Sequence, residues 1–543
     1  MDNNNSHNSK ATGAKLLKGA TILAIAGIIG KVLGAVFRLP LANLIGAEGM
    51  SYYGVAYPVY AFFLVLSTAG FPVAISRMVA ERTALGDYKN AFKTYKVSFN
   101  LMVTIGGVSF LICFFGAGII ATAMGNPGAK YSLMALSPAL LLAPVVSSFR
   151  GYYQGQQNMM PTGVSEVAEQ FMRVIVGLSL SFIFAKKSLE LASAGATFGA
   201  SAGLVASLAV MLYVFSKTKS KREDLLSKSV ERRESAKSIV KKLFTIAIPI
   251  TIGSTIMPLM MIIDAMIIMN RLQATGWSLT MSKTLYGLIS GFCDPLIGFP
   301  GVFIDAISIS LLPAVTAAYA LNHKDEMHKT IQTGIKTMMV IAMPCAVGLI
   351  VMAYPILTLL YPMRQTEAEM AVLNLQILSL SVITLSAMRT FSTSLQAVGK
   401  MYLPVVNLFI GALVKIVLSY ILVGIPQLNI NGAAIGSVMA YLVAAYLNFR
   451  ALKKYTGVEI DKGSTFVRPM VVSIIMGIVT IFVYKLIDNQ IHHNSIALLI
   501  AILVAVFVYF CMIFISKTMT REETLMLPMG DKLVKIAEKM HLL

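Results

Sequence analysis

Long apolar stretches recur along the whole chain and constrain its fold more than any other feature. Runs of about 20 apolar residues, the length that crosses a bilayer as a helix, follow one another through all 543 residues. The chain is 57% hydrophobic and only 13% charged, so its polar residues are too few to cover a soluble protein of this size. A helix satisfies its own backbone polar groups inside a bilayer. The pattern therefore predicts an all-α polytopic membrane protein.

We predict about fourteen transmembrane helices, each of roughly 20 residues or more. Two sets of six spans are followed by a final pair: 16–44, 53–80, 92–122, 131–150, 161–185 and 192–215; 243–269, 282–318, 329–361, 368–397, 402–424 and 431–450; 465–487 and 495–516. The stretch 282–318 is too long for one straight span and contains two prolines and two glycines between Pro295 and Gly301, so we expect a kink there. No signal-peptide cleavage site follows the polar start, and we expect the first helix to remain in the mature protein.

The basic residues set the expected orientation. The formal net charge is +20, and residues 216–242 alone hold ten basic and four acidic residues. Basic residues also cluster near both termini and in the turns after spans 2 and 12. Concentration in short loops on one side is the positive-inside pattern, which argues against nucleic acid as a partner. We predict a multi-pass membrane protein with both termini in the cytoplasm, and a tail (531–543) that forms an amphipathic helix on the membrane or a solvated segment.

The polar residues do not indicate an enzyme, a metal or a cofactor. The four cysteines (113, 293, 345 and 511) lie far apart in apolar segments, which fits neither a disulfide framework nor a zinc site. The histidines show no HExxH spacing. The loops are too short to form a catalytic domain. We therefore expect no enzymatic activity and no cofactor, apart from a coupling ion or the membrane potential.

The two sets of six spans are similar to each other. The segment "GATFGAS" at 195–201 recurs as "GAAIGSV" at 432–438. Nineteen residues separate Gln154 from Arg173, and the same distance separates Gln396 from Lys415. An even number of spans per copy predicts parallel repeats about an axis along the membrane normal. The predicted domains are a first lobe (1–215), a basic linker (216–242), a second lobe (243–450), and a final pair of spans with a cytoplasmic tail (451–543).

Charged residues inside the spans are candidate functional residues, because each costs about 2.5–3.5 kcal/mol on insertion scales and should face protein or water. We predict substrate-binding roles for the following residues: Lys31, Arg38, Arg77, Glu166, Glu169, Arg173, Asp294 and Arg389. Asp264 and Lys415 are predicted to couple an ion or to pair with each other. Aligning the repeats places Arg38 near Asp264, so the first lobe has cations where the second has an acid. A cationic first lobe suits an anionic substrate, and an acidic second lobe suits Na⁺ or H⁺ as a coupling ion.

Two groups among these residues share a helical face. Lys31 and Arg38 lie seven residues apart, roughly 10 Å along one face of span 1. Arg38 has no acid within one turn. Span 5 carries Glu166, Glu169, Gln170 and Arg173 as one stripe. The stripe either lines a cavity or neutralises itself through pairing of Arg173 with a neighbouring acid. The glycines at 27, 30 and 34 were expected to permit close helix packing.

Three segments resemble one family. "GKVLGAVFRLPLANLIGAEG" at 30–49, "FRGYYQGQQNMMPTGVSEVAEQ" at 149–170, and "GFP" at 298–300 followed by "LLPAV" at 311–315 resemble the multidrug/oligosaccharidyl-lipid/polysaccharide exporter superfamily. Within it, the match favours the branch of lipid II flippases (MurJ) and stage V sporulation protein B-like proteins. The resemblance covers nearly the whole chain. The "GYYQGQQNMMP" part reads as a cytoplasmic turn between spans 4 and 5.

The resemblance implies two six-helix lobes plus two helices, and alternating access that moves an undecaprenyl-pyrophosphate-linked oligosaccharide between leaflets. It implies essential basic residues in the first lobe, which Lys31 and Arg38 match with one extra residue between them. Asp294 matches an acid of span 8. The chain departs from the Gram-negative lipid II flippases at Pro295, where they have arginine, and it lacks their arginine midway along span 2. A sodium site of some relatives maps near Asp264, where Lys415 stands in place of the ion.

Several functions remain open at this stage. The chain is a flippase for lipid II, a flippase for another lipid-linked glycan such as a capsule, teichoic or spore-cortex precursor, or a cation-coupled multidrug antiporter of the same superfamily. The antiporter hypothesis predicts acids in the first lobe, so Lys31 and Arg38 count against it. Expected partners are the lipid-linked oligosaccharide, membrane lipids and cell-wall synthesis proteins.

Overall fold

A computed structural model describes residues 2–230, 234–525 and 530–542, and this part of the chain is helical almost throughout. The first nine helices are α1 (Asp2–Thr68), α2 (Phe71–Ala84), α3 (Tyr88–Ala123), α4 (Lys130–Gly155), α5 (Met160–Ala185), α6 (Leu189–Lys217), α7 (Lys219–Ser227), α8 (Ala236–Ala274) and α9 (Leu279–Gly287). The remaining ten are α10 (Asp294–Ala320), α11 (Lys324–Val351), α12 (Ala353–Leu360), α13 (Gln365–Ala397), α14 (Tyr402–Val423), α15 (Asn431–Thr456), α16 (Arg468–Ile491), α17 (Asn494–Ile515), α18 (Arg521–Leu525) and α19 (Gly530–Lys539).

The helices confirm the predicted polytopic membrane fold. Within the described residues, 13 stretches are long and apolar enough to cross a membrane. The first of them, Thr21–Ala84, has 64 residues. At 1.5 Å per residue it would measure about 96 Å, roughly twice what the longest single crossing needs. Counted as two crossings, this stretch brings the structure into agreement with the fourteen spans expected from the sequence.

The boundary between the first two spans lies where the sequence predicts it, but it is a kink in place of a loop. Two helices meet within α1 at Gly46 (φ 67°, ψ −175°), which lies between the predicted end of span 1 at residue 44 and the predicted start of span 2 at residue 53. Only glycine adopts this conformation without strain, so one residue redirects the helix where a loop was expected. A second interruption lies inside the predicted span 2, at residues 69–70, just before Pro72 in the first turn of α2.

Helix α4 also extends beyond its predicted end at residue 150, as far as Gly155. Aromatic side chains on either side of Arg150 pack against neighbouring helices. Tyr152 lies 5.0 Å from Tyr95 between ring centroids, and Phe149 lies 5.4 Å from Phe215. This packing extends the helix by more than one turn. The predicted turn at 151–161 therefore shortens to residues 156–159, and Arg150 lies inside a helix.

The expected kink in the eighth span is present. The stretch Leu279–Ala320 consists of α9, a π-helical segment at Leu288–Cys293 and α10. The irregular turn comes just before Pro295, which sits in the first turn of α10, where its missing N–H costs nothing.

The chain forms two compact units, and their boundary lies in this irregular segment. Unit 1 comprises Met1–Gln273 and Ser278–Gly287, and unit 2 comprises Ala274–Trp277 and Leu288–Leu543. Helix α8 thus belongs to unit 1 by its contacts, whereas the sequence repeat assigns span 7 to the second half. The division based on the repeat stays a prediction.

The glycines of the two predicted repeats pack against their neighbouring helices in a similar way. In α6, a side chain at Gly199 would meet the carbonyl oxygen of Arg173 in α5 at 2.6 Å. In α15, a side chain at Gly436 would approach the carbonyl oxygen of Lys415 in α14 at 3.4 Å and Ser419 Oγ at 2.7 Å. Both glycines let two neighbouring helices approach closely. Arg173 and Lys415 therefore occupy corresponding places in the two copies, as the equal spacing predicts.

The C-terminal segment packs onto unit 2. The buried Lys336 of α11 donates to both carboxylate oxygens of Glu523 in α18 at 2.8 Å. The predicted amphipathic tail forms α19, in which Val534 and Ala537 are buried. Contact of this helix with a membrane stays a prediction.

Candidate functional site

A polar cavity of about 450 Å³ lies inside unit 1. Its walls come from α1, from α4 through Arg150, and from the stripe on α5. Its ionisable lining, apart from tyrosine, consists of Lys31, Arg38, Arg150, Arg173, Glu166 and Glu169. Four basic and two acidic side chains give the cavity a positive formal charge.

The α5 wall carries the predicted stripe, positioned by the start of its helix. Pro161 lies in the first turn of α5, which suits proline because the first helical N–H groups have no partner within the helix. From there, Glu166, Glu169, Gln170 and Arg173 follow at helical spacing, and all four line the cavity. Both interpretations of the stripe hold, since Arg173 Nη2 also lies 3.6 Å from Glu169 Oε1.

Arg150, which sequence reasoning missed, is the main partner of this stripe. Its Nη2 donates to Glu169 Oε2 at 3.0 Å and to Ser207 Oγ of α6 at 3.0 Å, while its Nε donates to Ser165 Oγ at 3.1 Å. One guanidinium thereby joins α4 to α5 and α6. The only sequence signal was its position beside aromatic residues at the end of a predicted span, which could have indicated that the helix continues.

Arg173 retains a donor that the protein does not satisfy. Its Nε is buried and has no hydrogen-bond partner among the described residues. A buried donor of this kind calls for an explanation such as an ion or a ligand. An anion in the cavity would supply the missing acceptor.

The α1 wall contributes Lys31, Arg38 and two tyrosines. The Arg38 guanidinium lies 5.9 Å from the ring centroid of Tyr53, a cation–π distance. Tyr53 in turn stacks on Tyr57, with centroids 5.4 Å apart. The rings hold the guanidinium at the cavity, where arginine can offer paired donors to a phosphate.

The glycines of α1 keep this cavity open. The expectation that Gly27 and Gly34 serve close helix packing is wrong, because a side chain at either position would meet nothing within 4 Å. Both line the cavity together with Gly30, whose added side chain would touch Gln170 at 3.5 Å. Larger residues at these positions would occupy space that a ligand can use.

The other predicted site residues lie elsewhere. Arg77 is exposed on α2 and does not line the cavity. Asp294 and Arg389 both belong to unit 2. Asp294 is exposed at the start of α10, and Arg389 of α13 forms an ion pair with Asp305 of α10. Asp264 and Lys415 are half-buried in different units, and their pairing stays a prediction.

The described residues contain no group of three or more histidine, cysteine, aspartate or glutamate side chains that could hold a metal ion. The charged side chains that line the cavity are hydrogen-bond donors and acceptors, and their positive formal charge suits an anionic ligand.

Comparison with known proteins identifies relatives across most of the chain. Residues 16–318 match the family described as "Polysaccharide biosynthesis protein", and residues 289–421 match the family described as "MatE". An uncharacterized membrane protein, YabM, of Bacillus subtilis (strain 168) is 32% identical over 441 residues, covering 80% of this chain and 80% of the relative. The lipid II flippase MurJ of the same organism is 27% identical, covering 82% of this chain and 84% of the relative. Stage V sporulation protein B of the same organism is 28% identical, covering 82% of this chain and 85% of the relative.

Solved structures show the same fold. An inward-facing multidrug resistance MATE family transporter of the MOP superfamily superposes with a TM-score of 0.66 at 15% identity, covering 81% of this chain and 98% of that one. Lipid II flippase MurJ in an inward closed conformation superposes with a TM-score of 0.62 at 17% identity, covering 90% and 97%. At these identities the structural likeness concerns the fold alone.

Proposed function

Because the chain belongs to the polysaccharide biosynthesis protein family of the multidrug/oligosaccharidyl-lipid/polysaccharide (MOP) exporter superfamily, a family of transporters, we propose that it is a flippase for an undecaprenyl-pyrophosphate-linked glycan. It moves this lipid from the inner to the outer leaflet of a bacterial cell membrane by alternating access. The peptidoglycan precursor lipid II is the substrate we favour.

The positive charge of the unit 1 cavity carries the proposal. Lys31, Arg38 and Arg173 line one space together, and the Nε of Arg173 is a buried donor that the described protein leaves unsatisfied. A pyrophosphate supplies negative charge and several acceptor oxygens, which arginine binds through paired donors. A carrier of cationic drugs would need acids in this position, so the cavity favours the flippase over the antiporter.

The identity of the glycan rests on the relatives. Two named relatives are a lipid II flippase and a stage V sporulation protein, at 27% and 28% identity. The first relative supports lipid II as the favoured substrate, and the alternative is another lipid-linked precursor, such as a spore-cortex, capsule or teichoic precursor. Coupling to Na⁺, H⁺ or the membrane potential, and contact with cell-wall synthesis proteins, stay predictions.

Rescue of a strain depleted of its lipid II flippase tests the substrate directly. Expression of this chain should restore growth. Arg38→Ala should abolish rescue, because the cavity loses a paired donor for the pyrophosphate. Arg38→Lys should rescue partly, because it keeps the charge and loses the two-donor geometry. Growth is measured alongside the amount of protein in the membrane.

Arg521→Ala serves as the matched control, since Arg521 is an exposed arginine paired with Glu538 at 2.9 Å, far along the chain from the cavity residues. An exposed pair of this kind contributes little to stability, so rescue should persist. Full rescue by Arg38→Ala at normal abundance would refute the role of Arg38. Failure of the unaltered chain to rescue, at normal abundance, would exclude lipid II and favour another glycan.

A further inference from the structure

The two acids of the α5 stripe have different surroundings. Glu169 is only 12% exposed, and each of its oxygens faces an arginine: Oε2 accepts from Arg150 at 3.0 Å and Oε1 lies 3.6 Å from Arg173. Glu169 is therefore occupied by the protein itself. Its single negative charge offsets part of the positive charge of the two arginines in a membrane-spanning segment, where an uncompensated charge is costly.

Glu166 lines the same cavity and is more exposed than Glu169. Its side chain is 36% exposed, and its described ion pair is with Arg150 Nη1 at 3.9 Å, which is too long for a hydrogen bond. An ionised carboxylate can accept about four hydrogen bonds. Gln170 follows one turn later on the same face and also lines the cavity, where its amide can both donate and accept.

Arg150 holds this acceptor wall in place. Its donors to Ser165, Glu169 and Ser207 fix α5 against α4 and α6. Glu166 and Gln170 are thus presented from a helix whose position is tied to two neighbours. A preformed acceptor discriminates better between ligands than a mobile one, because little conformational freedom is lost on binding.

The cavity therefore has two kinds of wall. Basic side chains of α1, with Arg173, suit an anion, while Glu166 and Gln170 suit groups that carry hydroxyl or amide hydrogens. A glycosyl diphosphate has both parts next to each other. The cavity volume of about 450 Å³ lies in the range of small-molecule sites, so it can hold the region around the pyrophosphate rather than a whole oligosaccharide.

We propose that Glu166 and Gln170 bind the first sugar of the lipid-linked glycan, and that Arg150 acts as the positioning residue for this wall. The inference rests on the proposed function and deepens it, since it assigns glycan selectivity to α5 and binding of the pyrophosphate to Lys31, Arg38 and Arg173. A site built to hydrogen-bond a hydroxyl discriminates against a ligand that lacks one, because its polar groups are then left unpaired.

Binding of two defined lipids to the purified full-length protein tests this assignment. One probe is heptaprenyl diphosphate, and the other is the same lipid diphosphate carrying a single N-acetylhexosamine. The dissociation constants give a preference ratio for the sugar. The unaltered protein should prefer the sugar-bearing lipid. Glu166→Ala should lower the ratio roughly tenfold or more, the loss expected for a hydrogen bond to a charged group.

The bare diphosphate should bind Glu166→Ala more tightly than the unaltered protein, because the cavity has lost one negative charge. Arg38→Ala should weaken binding of both lipids. Glu166→Gln keeps the shape of the side chain and should lower the ratio by a smaller factor, so it carries the test if the alanine variant folds poorly. Glu223→Ala, on the exposed helix α7, is the control and should keep the ratio of the unaltered protein.

The outcomes separate the two proposals. An unaltered protein that binds both lipids without preference, or Glu166 variants that keep the full preference, would overturn the assignment of Glu166 and leave the proposed function standing. An unaltered protein that binds neither lipid would overturn the proposed function and this inference with it.

Discussion

Arg150 shows how a single side chain can decide the state of several others. Its side chain is 17% exposed, and its guanidinium contacts Ser165, Glu169 and Ser207 on two neighbouring helices. Without it, the Glu169 carboxylate would keep only Arg173, at 3.6 Å. Removing one partner of a poorly solvated ion pair is costly, because the remaining charge stays away from water.

We therefore predict that Arg150→Met destabilises the protein strongly, by about 3 kcal/mol. Ser207→Ala removes one neutral acceptor of the same guanidinium and should cost about 1 kcal/mol. Melting temperatures in detergent compare the two variants. Equal shifts, or no shift for Arg150→Met, would mean that Glu169 is solvated well enough to stand without Arg150.

At the scale of elements, one acid of the basic linker connects three helices. The Glu234 carboxylate accepts from Arg82 of α2 at 2.5 and 3.1 Å and from Lys242 of α8 at 2.9 Å. Its backbone carbonyl accepts from Lys93 of α3 at 2.5 Å. Burial raises the pKa of Glu234, but the hydrogen bonds from Arg82 and Lys242 outweigh that effect and hold the pKa below its usual value.

This shift predicts a pH-dependent stability. A lowered carboxylate pKa contributes stability above the unfolded value of about 4.3, and that contribution is lost as the pH falls through the folded pKa. Glu234→Gln should therefore have a lower melting temperature than the unaltered protein at pH 7. The difference between the two melting temperatures should become smaller at pH 3. Glu223→Gln, at an exposed pair with Lys219, is the control and should show little gap at either pH. A Glu234→Gln gap as large at pH 3 as at pH 7 would contradict the ionic role of Glu234.

At the scale of the whole molecule, the spans and the basic segments together predict the topology. Among the described residues, the candidate spans separate the basic segment 216–242 from the turn at 492–493 by an odd number of crossings. The positive-inside rule places the basic segment in the cytoplasm. The turn between α16 and α17 should then face the outside, and both termini the inside.

Cysteine labelling in intact cells tests this orientation. In a variant whose four native cysteines are replaced, a cysteine at the exposed His493 should react with a membrane-impermeant maleimide. A cysteine at the exposed Lys221 should react only after the membrane is permeabilised. The reverse pattern would invert the topology and place the basic residues outside.

Several features followed from the sequence alone because they depend on local patterns. Hydropathy over about 20 residues predicts a span wherever the span later packs. Helical spacing placed Lys31 and Arg38 on one face and the α5 stripe on another, and both line the cavity. Equal spacing within the repeats placed Arg173 and Lys415 at corresponding positions. Gly199 lies against the backbone carbonyl of Arg173, and Gly436 lies near that of Lys415.

Only the tertiary structure decided the contacts between segments distant in sequence. Arg150 joins Glu169 to Ser207, Glu234 reaches Arg82 across 152 residues, and the boundary between the units falls inside one long span. The division of the α5 acids into an occupied Glu169 and a more exposed Glu166 also depends on these partners. Most of these contacts join different segments of the chain, and a pattern read along one helix carries no information about which side chain of a neighbour will meet it.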